Sequence, residues 1–383
     1  MRIIDILYKI VPLRMRMVIK SWWLVFRRIF FWLPLCCSWL VGACQSIFRR
    51  SRQPQCDLAF VLDSRDEKWI LGAFCREIAK FSVGKVQFYY GRFYTYRLPF
   101  WPRPVKLPDA EAYFFADSSF LVRCLKATPS IWFRRKYVLY THPEDVAPEN
   151  ELLFALNQAT KVITMCSLFA DALDRKGVKP EKLTCVPGAA DPDIFQPHQR
   201  SSDGLIGFCT AFYPRKNPDL ILEVVKTLRH RNFVLLSGRN WDRYARFSEL
   251  IGLPNFSYVN VPYSEYPRYY EKMSVFVSAS ALEGGPIPLI EAMMSNIVPV
   301  ASRTGFAPDL IKHGQNGFLF GLESPAALVC EYIEKAFSVK GDIRATVEHL
   351  SWKNYALQVN AIIAESQIAN NLGEPGLQVV DHS

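Results

Sequence analysis

Histidine is scarce, with six in 383 residues, and the ten cysteines (36, 37, 44, 56, 75, 124, 166, 185, 209 and 330) form no Cys-x-x-Cys pair and have no histidine partner at metal spacing. These absences exclude a zinc ribbon and a disulfide framework, and the scatter suits a reducing compartment. There is no internal repeat and no low-complexity tract, so a solenoid or a tethered tail is not indicated. Acidic residues are almost missing from the N-terminus: residues 1–52 hold ten basic side chains against one acid, Asp5, which is +9 of the net +10. The rest of the chain is therefore nearly neutral, without the basic folded face that a nucleic-acid binder needs.

What the N-terminal arm does have is apolar bulk. Ile29 to Phe48 carries no charge and is fenced by Arg27-Arg28 and Arg49-Arg50, while the preceding segment mixes apolar and basic residues, with Trp22 and Trp23 suited to headgroup depth. A 20-residue helix would be about 30 Å long, the thickness of the hydrocarbon layer, yet Pro34 and Gly42 interrupt it and Ser38 and Gln45 dilute it. The arm can thus lie in the interface, span the bilayer or pack against the protein's own body. An anionic membrane surface is its expected partner. No small-residue cleavage site follows the apolar run, so a removed signal peptide is not expected.

From Asp57 onward, short β-rich runs alternate with helical patterns, which predicts parallel sheets with helices on their faces. Strands are expected at DLAFVL (57–62), KVQFYY, EAYFFA, YVLYT and KVIT, with a helix over 66–80 whose Trp69, Ile70, Ala73, Phe74 and Ile78 share one side. An irregular excursion rich in proline and aromatics follows KVQFYY. A polar stretch, HQRSSDG (198–204), precedes a second alternating series: LIGFC, a helix at NPDLILEVVKTLRH, then NFVLLS, FSYVN, VFVS, a Gly-Gly-Pro helix and VPVA. Two consecutive halves of this kind predict two doubly wound domains whose ligand collects in the cleft between them. The last helix, SWKNYALQVNAIIAES, is expected to give way to a loose tail near Asn370.

The segment Ser278–Phe320 sets Glu283 and Glu291 eight positions apart around a Gly-Gly-Pro turn that opens a helix. Gly284 and Gly285 would let backbone approach a ligand, and Pro286 and Pro288 suit a first helical turn. Free amides and the helix dipole would face negative charge, while the two carboxylates could accept hydrogen bonds from different parts of one ligand. Such a clamp fits a sugar joined to a diphosphate. Acidic residues near a helix start also favour the dipole without any ligand, so either glutamate alone is open to that reading.

Over residues 57–368 the chain resembles the retaining nucleotide-sugar glycosyltransferases of GT-B fold, in the group 1 (family 4) set. The resemblance rests on VITMCSLFADALDRKGVKPEKLTCVPGAADPDIFQP (162–197), YPRKNPDLILEVV (213–225), LSGRNW (236–241) and the Glu-x7-Glu segment, in that order. It implies an α/β GT-B fold of two Rossmann-like domains, an acceptor-side domain over 53–198 and a nucleotide-sugar domain over 199–352, with a final helix and tail over 353–383; the membrane-associating arm over 1–52 lies outside the resemblance. It further implies that Glu283 holds donor-sugar hydroxyls and that Glu291 binds the ribose. The backbone of Gly284, Gly285, Pro286, Ile287, Pro288 and Leu289 would line sugar and diphosphate. Lys216 would bind the diphosphate with Arg215 beside it, Gly238 and Arg239 would border base or phosphate, and His142 would face the sugar near the reacting carbon. Gly188 would give the turn before the interdomain connection. A solvated helix start for Lys216 and a plain turn for His142 are the alternatives.

Two departures stand out. Many relatives place an arginine six positions before the diphosphate lysine, where this chain has Thr210, and the family's Gly-Gly loop after the first strand is replaced by LDSRDEKW. The resemblance implies front-face transfer with retention from a nucleotide sugar, and the membrane-associating arm, by proximity, favours a lipid-linked or growing polysaccharide acceptor on the cytoplasmic face of a membrane. No cofactor or metal is expected, because cationic groups can replace Mg²⁺ and no Asp-x-Asp motif of the metal-dependent kind is read. Two rivals remain: an inactive scaffold subunit on the same fold, which Thr210 favours, and another enzyme such as a sugar-nucleotide epimerase.

Overall fold

The computed structural model describes residues 32–46, 54–64, 70–92, 105–141, 148–237 and 240–372. Two parallel sheets organise them. The first contains β1 (Cys56–Asp63), β2 (Val86–Gly91), β3 (Ala110–Phe115), β4 (Arg135–Tyr140), β5 (Lys161–Thr164) and β6 (Leu183–Cys185), in the order β2-β1-β3-β4-β5-β6. The second contains β7 (Leu205–Cys209), β8 (Phe233–Leu236), β9 (Phe256–Val259), β10 (Met273–Ser278), β11 (Val298–Ser302) and β12 (Phe318–Phe320), in the order β12-β11-β10-β7-β8-β9. Each order reverses direction once along the chain, the hallmark of doubly wound α/β sheets. Strands such as β1 and β8 read as continuous apolar runs because helices cover both of their faces.

The expected strands are all present, and β5 and β7 have the predicted bounds. The three-residue strands β6 and β12 add to them; runs that short carry no periodicity to read. The helix expected over 66–80 is described over Ile70–Lys80, and its buried face is Leu71, Phe74, Cys75 and Ile78, one position round from the expected set. The last helix runs over Trp352–Leu372, beyond the predicted end near Asn370.

The described residues fall into two compact units, the first drawn from 1–73, 83–138 and 145–160 and the second from 74–82, 139–144 and 161–383. In the first unit, Phe60 stacks on Phe88 at 5.0 Å and meets Phe114 at 5.5 Å. The buried Lys136 ammonium donates to the carbonyls of Ile131, Trp132 and Arg134 at 3.2, 3.0 and 2.7 Å, which satisfies a charge otherwise costly to desolvate. The arm segment 32–46 is one continuous helix, so neither Pro34 nor Gly42 breaks it. Among the described residues no helix is long and apolar enough to cross a membrane. The rest of the arm lies outside them.

In the second unit, the last helix returns to the helix Ile70–Lys80. Phe74 meets Trp352 and Tyr355 edge-on at 4.9 and 5.0 Å, and Asn360 bonds the Ile78 carbonyl and the Ser82 hydroxyl. The polar stretch 198–204 is pinned rather than free. Arg200 donates to Asn296, Val339 and Gly341, Ser201 bonds Ser274, and His198 Nε2 lies 2.8 Å from the Met273 carbonyl.

Candidate functional site

Because β7 and β10 are parallel neighbours, the loops leaving their carboxyl ends emerge side by side. The loop after β7 folds as a 3₁₀ turn, Pro214–Lys216, and ends at Asn217 in the left-handed region (φ 53°), where asparagine is one of the few non-glycine residues at ease. Pro218 then opens the next helix at its first turn. Lys216 therefore belongs to a separate turn and not to a solvated helix start. The Arg215 carbonyl accepts from the Ala281 amide at 2.7 Å, which stitches the two loops together.

Glu283 is the meeting point. Its Oε1 receives the Lys216 ammonium and the Ser280 hydroxyl, the latter at 2.6 Å. Its Oε2 lies 3.5 Å from Arg215 Nη1, which also donates to the Leu282 carbonyl at 2.8 Å. The Glu283 amide donates to Thr304 Oγ1 at 3.0 Å, and Ser302 Oγ donates to the Ser280 carbonyl, so the carboxylate is held from the loops after β7, β10 and β11. With Glu283 only 7% exposed, two cations facing one buried carboxylate leave one positive charge in excess. An incoming anion would find that charge already in place.

Glu291 sits in the helix Ile287–Met294, 2% exposed, where Tyr270 donates to Oε2 at 3.1 Å and Tyr263 donates to Oε1. Burial pushes its carboxyl up to about 7, and the two tyrosine hydrogen bonds pull the other way. Burial likewise raises the hydroxyls of Tyr263 and Tyr270 and the Cys209 thiol beside them. These tyrosines, with Ser280 and Thr304, are not among the residues expected from sequence; only a position just after a strand end could have marked Tyr263, Ser280 and Thr304.

The glycine turn has a physical reason within the protein itself. A Cβ on Gly284 would lie 1.6 Å from the Thr141 carbonyl oxygen, and one on Gly285 would lie 2.5 Å from Phe306 and 2.7 Å from Met165. Packing against protein already requires glycine at both. Pro286 caps the helix and Pro288 lies in its first turn, as expected, but the Leu289 amide is bonded to the Pro286 carbonyl at 2.8 Å. The amides that remain for a ligand are those of Gly284, Gly285 and Ile287, which have no acceptor among the described residues. The Ile287 side chain occupies the space a Cβ would take at Gly188, at 2.4 Å.

His142, Gly238 and Arg239 lie outside the described residues. Thr210 donates its amide to Leu236 at 3.1 Å, and its carbonyl accepts the Trp241 indole N–H at 2.8 Å. One Asp-x-Asp sequence, Asp191-Pro192-Asp193, lies between β6 and β7. Asp191 Oδ1 accepts the Asp193 amide at 2.9 Å, an Asx turn, and among the described residues no group of three His, Cys, Asp or Glu side chains could hold a metal ion.

Residues 190–370 match the family model described as glycosyl transferases group 1. A curated relative, the MMP alpha-(1->4)-mannosyltransferase of Mycolicibacterium hassiacum, is 29% identical over 224 residues, 54% of this chain and 54% of that protein. The chain thus matches about half the length of that relative. Among solved structures, HepE of Anabaena in complex with UDP superposes with a TM-score of 0.63 at 17% identity, covering 82% of this chain and all of the other. Sucrose-phosphate synthase of Thermosynechococcus elongatus gives 0.64 at 15% identity, again over 82% of this chain and all of the other. Together with the two six-stranded parallel sheets, these likenesses show a GT-B fold whose residues 190–370 are similar to the glycosyl transferases group 1 model.

Proposed function

We propose that the chain is a glycosyltransferase that moves a sugar, with retention and without a metal ion, from a nucleoside-diphosphate donor to a lipid-linked or growing surface glycan. It would act on the cytoplasmic side of a membrane to which the basic arm attaches it. The observation that carries this reading is the convergence of Lys216 and Arg215 on Glu283 beside the helix that bears Glu291. The UDP named with HepE and the mannosyl transfer named for the curated relative support a nucleotide-sugar donor and a glycan acceptor.

In this reading the donor diphosphate recruits Lys216 and Arg215, together with the amides of Gly284, Gly285 and Ile287. Their charge and dipoles stabilise the negative charge that builds on the leaving diphosphate. Glu283, released from its cations as the diphosphate takes them, accepts hydrogen bonds from the donor-sugar hydroxyls. Ribose hydroxyls take up the oxygens of Glu291 that Tyr263 and Tyr270 hold in the free protein. His142 is assigned to the sugar near the reacting carbon, and Gly238 and Arg239 to the base or phosphate. The acceptor hydroxyl approaches on the face from which the diphosphate leaves, and a phosphate oxygen takes its proton. Positioning rather than covalent chemistry is then the protein's task.

Turnover of a panel of UDP sugars and other nucleotide sugars, read beside the affinity of the free nucleotide, tests the assignment. Glu283→Ala should cut turnover without weakening nucleotide binding, and Glu291→Ala should lower both. Equal losses in the two variants would refute the division of roles. Thr210, standing where many relatives carry arginine, favours the inactive-scaffold reading; donor binding without turnover by purified protein on any acceptor would decide for it.

A further inference from the structure

The helix over 32–46 has two unlike sides. Pro34, Leu35, Ser38 and Gly42 recur at helical spacing and are buried. A Cβ on Gly42 would lie 2.4 Å from the Pro129 carbonyl oxygen, so this approach of helix to body requires glycine. Ser38 Oγ accepts the Trp132 indole N–H at 3.0 Å, which spends the helix's most central polar side chain on the body. The other side presents Trp32, Leu33, Trp39, Leu40 and Val41, each between 45% and 57% exposed. Phe133, 52% exposed, extends this surface onto the body, its ring 6.3 Å from that of Trp39.

A helix docked on a protein ordinarily turns charged and polar residues to water. This one has no charge anywhere in residues 29–48, so its outer side is as apolar as its inner one. An exposed contiguous apolar surface of this kind marks an interaction site. The cations stand immediately outside it in sequence, at Arg27-Arg28 on one side and Arg49, Arg50 and Arg52 on the other. Apolar centre, tryptophans and flanking cations are the chemistry that an anionic lipid surface complements. A spanning arrangement conflicts with the packing, because the Gly42 side is pressed against protein.

We propose that the helix 32–46 and Phe133 form a preassembled membrane-docking face, seated in the plane of an anionic bilayer with Trp32, Leu33, Trp39, Leu40 and Val41 toward the acyl chains. This rests on the membrane-side reading given above but not on the transfer chemistry. The helix therefore works as a fixed part of the first unit that meets lipid along one side, not as a flexible tether.

The full-length protein is mixed with vesicles of phosphatidylcholine alone, or rich in phosphatidylglycerol, and sedimented. The wild type should partition to the anionic vesicles, and Leu33→Glu/Leu40→Glu should partition roughly tenfold less or weaker still. Leu357→Glu, a similarly exposed leucine on the last helix, should partition as wild type. Thermal midpoint and nucleotide affinity should not change in the double variant, which separates this result from a failure of the site. Brominated acyl chains should quench wild-type tryptophan fluorescence, and less so when Trp32 and Trp39 are both phenylalanine. Absence of wild-type binding, equal binding by the double variant, or unaltered quenching would overturn the proposal. So would a lipid-free wild-type oligomer that the double variant disperses, since the face would then belong to a second copy of the chain.

Discussion

Glu291 titrates in surroundings that leave it alone in its range. Burial raises the Tyr263, Tyr266 and Tyr270 hydroxyls and the Cys209 thiol, so those neighbours stay neutral at and below neutrality while the carboxyl, moved from 4.5 up to about 7, ionises there. Between those two values the folded protein holds a proton that the unfolded chain has released. Stability is therefore fullest below about pH 4.5 and falls as pH rises through about 7, by up to about 3 kcal/mol from this group. Glu291→Gln should flatten that fall. Urea midpoints at pH 5 and pH 7 check this, and an unchanged difference between them would assign the titration to another group. Glu283 invites a prediction of opposite sign for two readouts. Its carboxylate neutralises one of two cations, so Glu283→Gln should tighten binding of a nucleoside diphosphate several-fold while transfer falls by roughly 10²–10³. Looser nucleotide binding in calorimetry would mean that Lys216 and Arg215 do not face the diphosphate.

At the scale of elements, the turn before the helix Ile287–Met294 separates two neighbouring glycines by what they touch. Gly284→Ala forces a Cβ into the Thr141 backbone carbonyl, which cannot step aside, and should cost roughly 3 kcal/mol or more. Gly285→Ala meets the buried Phe306 ring and the Met165 methyl, side chains rather than backbone, and should cost less, about 1–2 kcal/mol. Denaturant melts of the two variants measure the difference, and equal costs would mean that the Thr141 contact is not made. The pattern of strands was legible because buried parallel strands write themselves as apolar runs, as KVIT and LIGFC do at β5 and β7. The cationic turn and both glutamates could be picked out because they lie just after strands or at a helix start. Which partners they meet could not. Tyr263 and Tyr270 reach Glu291 from 28 and 21 residues upstream, and Thr141 reaches Gly284 from another strand end altogether. Contacts of that range follow from sheet order, which local periodicity does not encode. Gly284 and Gly285 illustrate the same limit: sequence context marks a turn, while the neighbours that leave no room for a Cβ, Thr141, Phe306 and Met165, come from elsewhere in the chain.

On the scale of the molecule, the described part of the candidate site draws every residue from one unit. The Pro214–Lys216 turn, Ser280, Glu283, Glu291, Thr304 and the tyrosines all belong to the second unit, and Thr141, although far upstream, is counted within it. Binding of a nucleoside diphosphate therefore stabilises that unit in the first place. At about 100 times its dissociation constant a ligand adds about 2.7 kcal/mol to the free energy of every opening that abolishes the site. Openings confined to the first unit leave the site intact and gain nothing. Hydrogen exchange with and without uridine diphosphate should thus slow over residues 213–217 and 280–291 and stay unchanged over 54–64 and 110–138. Slowing of equal size in both sets would show that the nucleotide is gripped by both units, and the site as drawn from Lys216, Glu283 and Glu291 would then be incomplete.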